Sequence, residues 1–391
     1  MGKSINGETQ GEDGLELSLR PAGLEVCRGA ASFLQSDFWG NFKARFGWKP
    51  FAFTLSRGLP SDPPGDGESA APLLVLCRRL GPGLSMAYVP WGPPLVHGGD
   101  AAPKTAAAAA RQLRFLLPGN AAFIRFDFPW IIEDPAAVDI RSAPGYLGAA
   151  FTRAAADVQP PDTVVVDLTR EEGAILGNMK SKWRYNIGLA EKKGVAVRRM
   201  DIRGAEDLAG FYRVYRETAD RDGIAIHGVE YYAALFEEAA KHGVDTRLYM
   251  ASHEGEDLAG IVTLFRGREA VYLYGASASH KRNLMAPYAL QWRAIRDARA
   301  AGCLFYDLYG IPPRPPEEEP DHPMAGLYRF KTGFIGDALE GGEQGVYPGG
   351  RIIHRAGSWD YPCRPLAAAL YGGAEKARKK LWDLKKRLKR R

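Results

Sequence analysis

The chain has 391 residues, 46% of them hydrophobic and 25% charged, the balance of a water-soluble globular protein. That length exceeds one ordinary core, so two domains are expected, and no apolar run reaches the roughly 18 residues that a spanning helix needs. The net charge of +6 is unevenly placed: from Ala374 to Arg391 ten Lys/Arg stand against Glu375 and Asp383, a net of +8, which leaves 42 basic against 44 acidic residues elsewhere. The basic character belongs to the tail, not to the body.

Met1 to Glu16 is polar and glycine-rich and lacks the apolar segment of a signal peptide, so it reads as a loose tail. A short strand is expected from Leu24. Ser36 or Asp37 caps a helix that sets Phe38, Phe42 and Phe46 on one side, with Lys43 among them in sequence. Pro50 to Leu55, Pro72 to Arg78 and Leu84 to Val89 read as strands. The Pro-, Gly- and Asp-rich segment Arg57 to Ala71 is an exposed loop. Arg78-Arg-Leu-Gly81-Pro-Gly83 has the outline of an acetyl-CoA phosphate loop. Its glycines stand between two strands rather than at a helix start, and Pro82 removes a donor, so a hairpin turn is the better reading. An alanine-rich helix follows from Pro103 to Leu117, then a strand from Ala121 to Phe128.

Arg141 to Asp162 holds little pattern and ends in Pro160-Pro161, a domain boundary. Beyond it come a strand (Thr163 to Leu168), a short helix (Arg170 to Leu176), a basic helix (Asn178 to Lys193) and a strand (Val195 to Arg199). Helices from Ala205 to Ala219 and Val229 to Lys241 precede strands at Asp245 to Ser252 and Leu258 to Phe265. Val271 to Tyr274 is a buried strand ended by Gly275 and the small residues after it. Pro287 sits in the first turn of a helix that runs to Gly302, and Cys303 to Leu308 forms a parallel strand. Strand, loop, helix, parallel strand is the unit that opens a cleft at the strands' C-terminal ends. Pro312 to Pro323 is a stiff acidic loop beside that cleft. Glu375 to Arg391 places Leu381, Leu384 and Leu388 on one helix face with Lys/Arg around the rest, suited to anionic lipid, to RNA phosphate or to solubility alone. Hairpin, helix, strand occurs twice, from Leu73 and again from Leu258, so the fold class expected is α/β in two copies of one domain.

Three segments, Asn178-Met-Lys-Ser-Lys-Trp-Arg-Tyr-Asn-Ile187, Tyr272 to Ile311 and Tyr328-Arg-Phe330-Lys331-Thr-Gly333-Phe334, resemble in sequence and order the Fem ligase family (FemABX). These are tRNA-dependent transferases that add amino acids to the peptide stem of peptidoglycan precursors. The resemblance spans about Phe33 to Phe334. It implies two tandem GNAT-like domains (21–160 with 336–372, and 161–335) between a flexible tail, 1–20, and a basic C-terminal helix, 373–391. No coiled-coil insertion is expected. It also implies aminoacyl-tRNA and a UDP-MurNAc-pentapeptide or lipid-linked precursor as partners; from the chain itself a cytoplasmic monomer is expected, with residues 374–391 able to contact anionic membrane at its inner face.

By the same resemblance Phe330 and Lys331 are catalytic, stacking on and charge-pairing with the tRNA acceptor end, where the lysine also stabilises the oxyanion. Lys43, Arg221 and Tyr274 would bind the precursor. Read from the residues alone, Lys43 is a solvated helix residue and Tyr274 a core residue, while Arg221 is as readily a partner of Asp220 or Asp222. The family often has a basic residue where Trp91 stands, a departure that leaves one expected charge missing. No cofactor or metal is expected: the seven histidines are scattered and Cys27, Cys77, Cys303 and Cys363 read as buried free thiols. An aminoacyl ester is already activated, so positioning and charge suffice. The rivals are an N-acyltransferase using acyl-CoA or acyl carrier protein, and a non-catalytic membrane-associated binding protein.

Overall fold

The computed structural model describes residues 17–57, 70–94, 102–133, 135–337 and 346–388. The tail Met1 to Glu16 and most of the Arg57 to Ala71 loop lie outside the described residues. The first part of the chain forms β1 (Leu17–Ala22), α1 (Asp37–Ala44), β2 (Trp48–Arg57), β3 (Ala71–Gly81), β4 (Leu84–Val89), α2 (Ala102–Leu116), β5 (Ala121–Ile131) and α3 (Pro135–Ile140). Next come β6 (Thr152–Arg153), β7 (Asp162–Asp167), α4 (Glu172–Asn178), α5 (Ser181–Lys192), β8 (Ala196–Met200), α6 (Ala209–Asp222) and α7 (Val229–Lys241). β9 (Asp245–His253), β10 (Glu256–Arg266), β11 (Glu269–Ser277), α8 (Ala286–Ala300), β12 (Phe305–Gly310) and α9 (Ala325–Thr332) follow, and β13 (Val346–Tyr347), β14 (Gly350–Pro362) and α10 (Pro365–Leu388) close it.

Three expectations need correction. Leu24 starts a tight helical turn, Leu24–Gly29, not a strand, because Cys27 turns inward and the Val26 and Ala30 amides bond back three residues. The strand lies earlier, as β1, paired with β2 from Leu17↔Arg57 to Ala22↔Ala52. Gly275 does not end β11, since it pairs with Ile261 and the strand runs on to Ser277. The C-terminal helix also starts earlier than Glu375, at Pro365, where a proline needs no amide partner.

The strands form one sheet in the order β1-β2-β3-β4-β5-β14-β7-β12-β11-β10-β9-β8. Among the described neighbours two pairs are parallel, β4 with β5 and β11 with β12. These are the two hairpin–helix–strand units. β14 joins them, pairing with β7 through Gly350–His354 and with β5 through Arg355–Pro362. One hydrophobic cluster packs α2 on β1 to β5, and a second packs α5 and α8 on β7 and β9 to β12. The third is shared: Phe38, Phe42, Tyr88 and Phe123 meet Phe211, Tyr231, Leu235 and Val271. All four cysteines are buried and free, as apolar neighbours favour. Where β7 meets β14, Arg141 clamps Asp162 through two hydrogen bonds of 2.7 Å and His354 adds a third at 2.7 Å.

Candidate functional site

The two parallel pairs differ where it matters. β4 stays paired with β5 to its last residue, Val89↔Phe126. β11 and β12 pair only from Glu269↔Phe305 to Val271↔Asp307 and then part, β11 following β10 and β12 following β7. The opening lies at the C-terminal ends of the parallel strands, the place where open α/β sheets hold ligands.

A β-bulge directs side chains around that opening. Val262 faces Tyr274 and Thr263 faces Tyr272, so Leu273 is the extra residue. Without it Tyr272 and Tyr274 would share a face; with it they take opposite ones. Tyr272 packs with the α5–α8 cluster and Tyr274 with the shared cluster. Gly275 is required here, since a Cβ would overlap the Tyr272 hydroxyl. Gln291, fully buried on α8, accepts from the Tyr306 hydroxyl at 2.8 Å and lines the same cavity as Tyr272.

On the Tyr272 side lies a cavity of about 890 Å³. Its walls include Tyr272, Gln291, Tyr288 and Phe330, together with Arg221, Lys281 and Arg282, Pro323 of the acidic loop and Met324 just after it. That volume suits a nucleoside together with a short peptide end. The loop entering α8 turns through two left-handed residues, Lys281 (φ 49°) and Met285 (φ 58°), a strain of about 1 kcal/mol each. Lys281 pairs with Glu256 at 2.9 Å, whereas Arg282 has no ion-pair partner among the described residues. Arg221 donates to the Ser277 carbonyl at 2.8 Å and pairs with Asp222 at 2.9 Å, so it is held at the end of β11 while keeping its charge at the cavity.

Lys331 stands behind this wall. It is 6% exposed, its Nζ donates to the Gly310 carbonyl at 2.8 Å and sits 5.4 Å from the centre of the Tyr272 ring. Burial lowers its pKa to about 8, against the partial support of Asp307. Asp307 is itself fully buried. Its Oδ1 accepts the Tyr309 amide at 2.7 Å, which fixes Tyr309 at φ 62° just before Gly310. Burial pushes both Asp307 and Glu269 up, the Asp307 charge adds to the rise at Glu269, and Arg355 opposes it at each. Arg355 lies near both and places its guanidinium 4.4 Å from the centre of the Trp91 ring, so a cation stands beside position 91 although the residue there is neutral.

The three resembling segments interlock physically. The Lys180 amide donates to the Gly333 carbonyl at 3.0 Å, and the Trp183 indole donates to the Phe330 carbonyl at 2.9 Å. Gly333 has no side chain because a Cβ would overlap that indole. Tyr288 of α8 closes the group edge-on to Trp183 and Phe330, at 5.6 and 5.2 Å.

The structure thus brings Phe330 and Arg221 into one cavity with Lys331 just behind it, and gives Lys43 and Tyr274 a different setting. Lys43 Nζ lies between 5.4 and 5.9 Å from the ring centres of Trp39, Phe42, Trp48 and Tyr231. It donates to the Tyr231 hydroxyl at 3.3 Å, and burial together with Arg78 lowers its pKa to about 8. Tyr274 packs on the cluster that contains the same Tyr231 and meets Tyr232 edge-on at 5.1 Å. Neither lines the large cavity. Tyr272, Arg282, Tyr288 and Gln291 line the cavity without standing among the sequence candidates; for Tyr272 the available signal is the glycine three places after it.

This is an α/β fold of two GNAT-like units, in which the second unit holds the open strand pair. The FemAB family profile matches residues 28–252 and 244–376, and the chain belongs to the FemAB family. It is 30% identical over 228 residues to the UDP-N-acetylmuramoylpentapeptide-lysine N(6)-alanyltransferase of Weissella viridescens, covering 57% of this chain and 64% of that protein. It is 23% identical over 295 residues to the lipid II:glycine glycyltransferase of Staphylococcus saprophyticus, covering 60% and 65%. The chain therefore spans just under two thirds of those relatives' length. In fold it resembles the crystal structure of FemX, with a TM-score of 0.68 at 16% identity, over 91% of this chain and all of that one.

Proposed function

We propose that this protein transfers an amino acid from aminoacyl-tRNA to an amine on the peptide stem of a peptidoglycan precursor, releasing free tRNA. The observation that carries the reading is one cavity at a splayed parallel pair, with an aromatic wall (Phe330, Tyr288) and guanidinium groups (Arg221, Arg282). A terminal adenine can stack on that wall, and guanidinium forks suit phosphate oxygens. The names of the relatives point to the same acceptor chemistry, an alanyl or glycyl group added to a muropeptide or lipid II.

In this reading the acceptor amine attacks the ester carbonyl and the tRNA ribose oxygen departs. Phe330 holds the donor end, and Lys331 supplies a buried positive charge that favours the tetrahedral oxyanion. Arg221 meets precursor phosphates at the cavity, while Lys43, among its rings and without a carboxylate partner among the described residues, meets a more distant part of the same elongated acceptor beside Tyr274. We take 21–160 with 336–372, and 161–335, as the two domains. The location that fits is the cytoplasm, at the inner face of the membrane.

The test is a donor comparison. With a precursor pentapeptide as acceptor, charged tRNA should yield a product heavier by one aminoacyl residue, ribonuclease should abolish it, and acyl-CoA should give none. Acylation from acyl-CoA that survives ribonuclease would replace this reading with that of a thioester-dependent N-acyltransferase.

A further inference from the structure

α10 is held to the body along one face only. Ala367, Ala368 and Tyr371 pack on the shared core, with the Tyr371 ring 5.2 Å from Phe123. Glu375 accepts from Arg125 at 2.7 Å, beside the Arg125–Asp360 pair, and Lys379 donates to the Ala155 carbonyl at 3.2 Å. At about 100° per residue, 368, 371, 375 and 379 form one row down the helix. The opposite row is Leu366, Leu370, Ala377 and Leu381. Its leucines are 77%, 68% and 54% exposed, so the helix spends its apolar residues on water. Lys376 and Lys380 border that row on one side and Arg378 on the other, all exposed.

This arrangement distinguishes the candidate occupants. A helix that grips RNA presents its cations in the middle of the outward face, where phosphates approach. Here leucine occupies the middle and cations the edges, which is the distribution of a helix lying in a headgroup layer. The net charge of +8 from Ala374 to Arg391 complements an anionic surface, and a large apolar row with a charged border is not a solubilising device.

We infer that α10 is a membrane-seating surface: Leu366, Leu370 and Leu381 enter the interface of an anionic bilayer while Lys376, Arg378 and Lys380 meet lipid phosphates, and the Arg125–Asp360–Glu375 cluster ties that surface rigidly to the body. The inference is independent of the proposed reaction, because lipid binding is read without donor or acceptor. The full chain is sedimented with vesicles of equal parts phosphatidylglycerol and phosphatidylcholine, and with phosphatidylcholine alone. It should bind the first and not the second. L366E/L370E/L381E and K376E/R378E/K380E should each lower that binding by about tenfold or more. All six positions are exposed, so circular dichroism should be unchanged, and transfer to a water-soluble acceptor should match the unaltered chain. The inference is overturned if the full chain stays in the supernatant. It is equally overturned if the leucine variant sediments undiminished, or if the charge variant loses tRNA binding while lipid binding is unchanged.

Discussion

Lys331 carries a charge in a place that resists it. At neutral pH it is mostly protonated, but its proton leaves at about 8 rather than near 10.5, so the charge disappears as pH rises through that value. If the charge serves the oxyanion, turnover should fall there, against the rising limb from the acceptor amine as it loses its own proton. A lysine acting instead as a base would gain activity over the same range. Initial rates as a function of pH decide between these, and Lys331→Ala should remove the falling limb of kcat while lowering kcat by about a hundredfold. Thermal melting should confirm that the variant folds. Asp307→Asn should lower the Lys331 pKa further and move that limb to lower pH, because it removes the negative charge that supports the ammonium group.

In the proposed reading Arg221 serves binding rather than chemistry. Arg221→Ala should raise the KM for the precursor and leave kcat near its starting value. An unchanged KM would return Arg221 to a purely local role with Asp222, a pairing that the structure also contains. The placement of Phe330 and Arg221 at one cavity, with Lys331 next to Phe330, agrees with the segments in which the sequence sets them. Tyr272 was not legible, because a period of two places it on the same face as Tyr274, and only a register shift at Leu273 separates them.

At the scale of elements, backbone glycines fix the site's shape. Gly275→Ala should displace the Tyr272 ring into the cavity and cost both stability and turnover; an unchanged melting temperature and rate would show that β11 adapts freely. Arg141→Ala tests the junction of β7 and β14. It would leave Asp162, in a buried setting, with His354 as its one ion-pair partner among the described residues, and chemical denaturation should report a loss of about 3–5 kcal/mol. Element boundaries followed from local signals where these were strong. β4 and α7 coincide with the expected Leu84 to Val89 and Val229 to Lys241, each ended by turn residues. Leu24 failed because a few apolar residues fit a strand and a helical turn alike, and inward-facing Cys27 decided it. The reach of β11 beyond Gly275 failed because pairing with β10, invisible locally, outweighed the glycine's preference for a stop.

At the scale of the molecule, duplication was visible as repeated element order, but the difference between the copies was not. Which parallel pair opens depends on where β12 turns from β11 to β7, a contact between residues about 140 positions apart in sequence. The shared core, in which Phe42 meets Tyr231 at 4.8 Å, likewise joins residues that sequence reading assigned to different domains. In the proposed reaction the donor end sits at the open pair. An RNA ending in a non-hydrolysable aminoacyl-adenosine with a photoreactive base gives the direct measurement: irradiate it with the protein and map the labelled peptide. Labels should fall on Tyr288 or Phe330 and be competed away by charged tRNA. Labels confined to the strands and loops of residues 84–131, with none in the second unit, would contradict it.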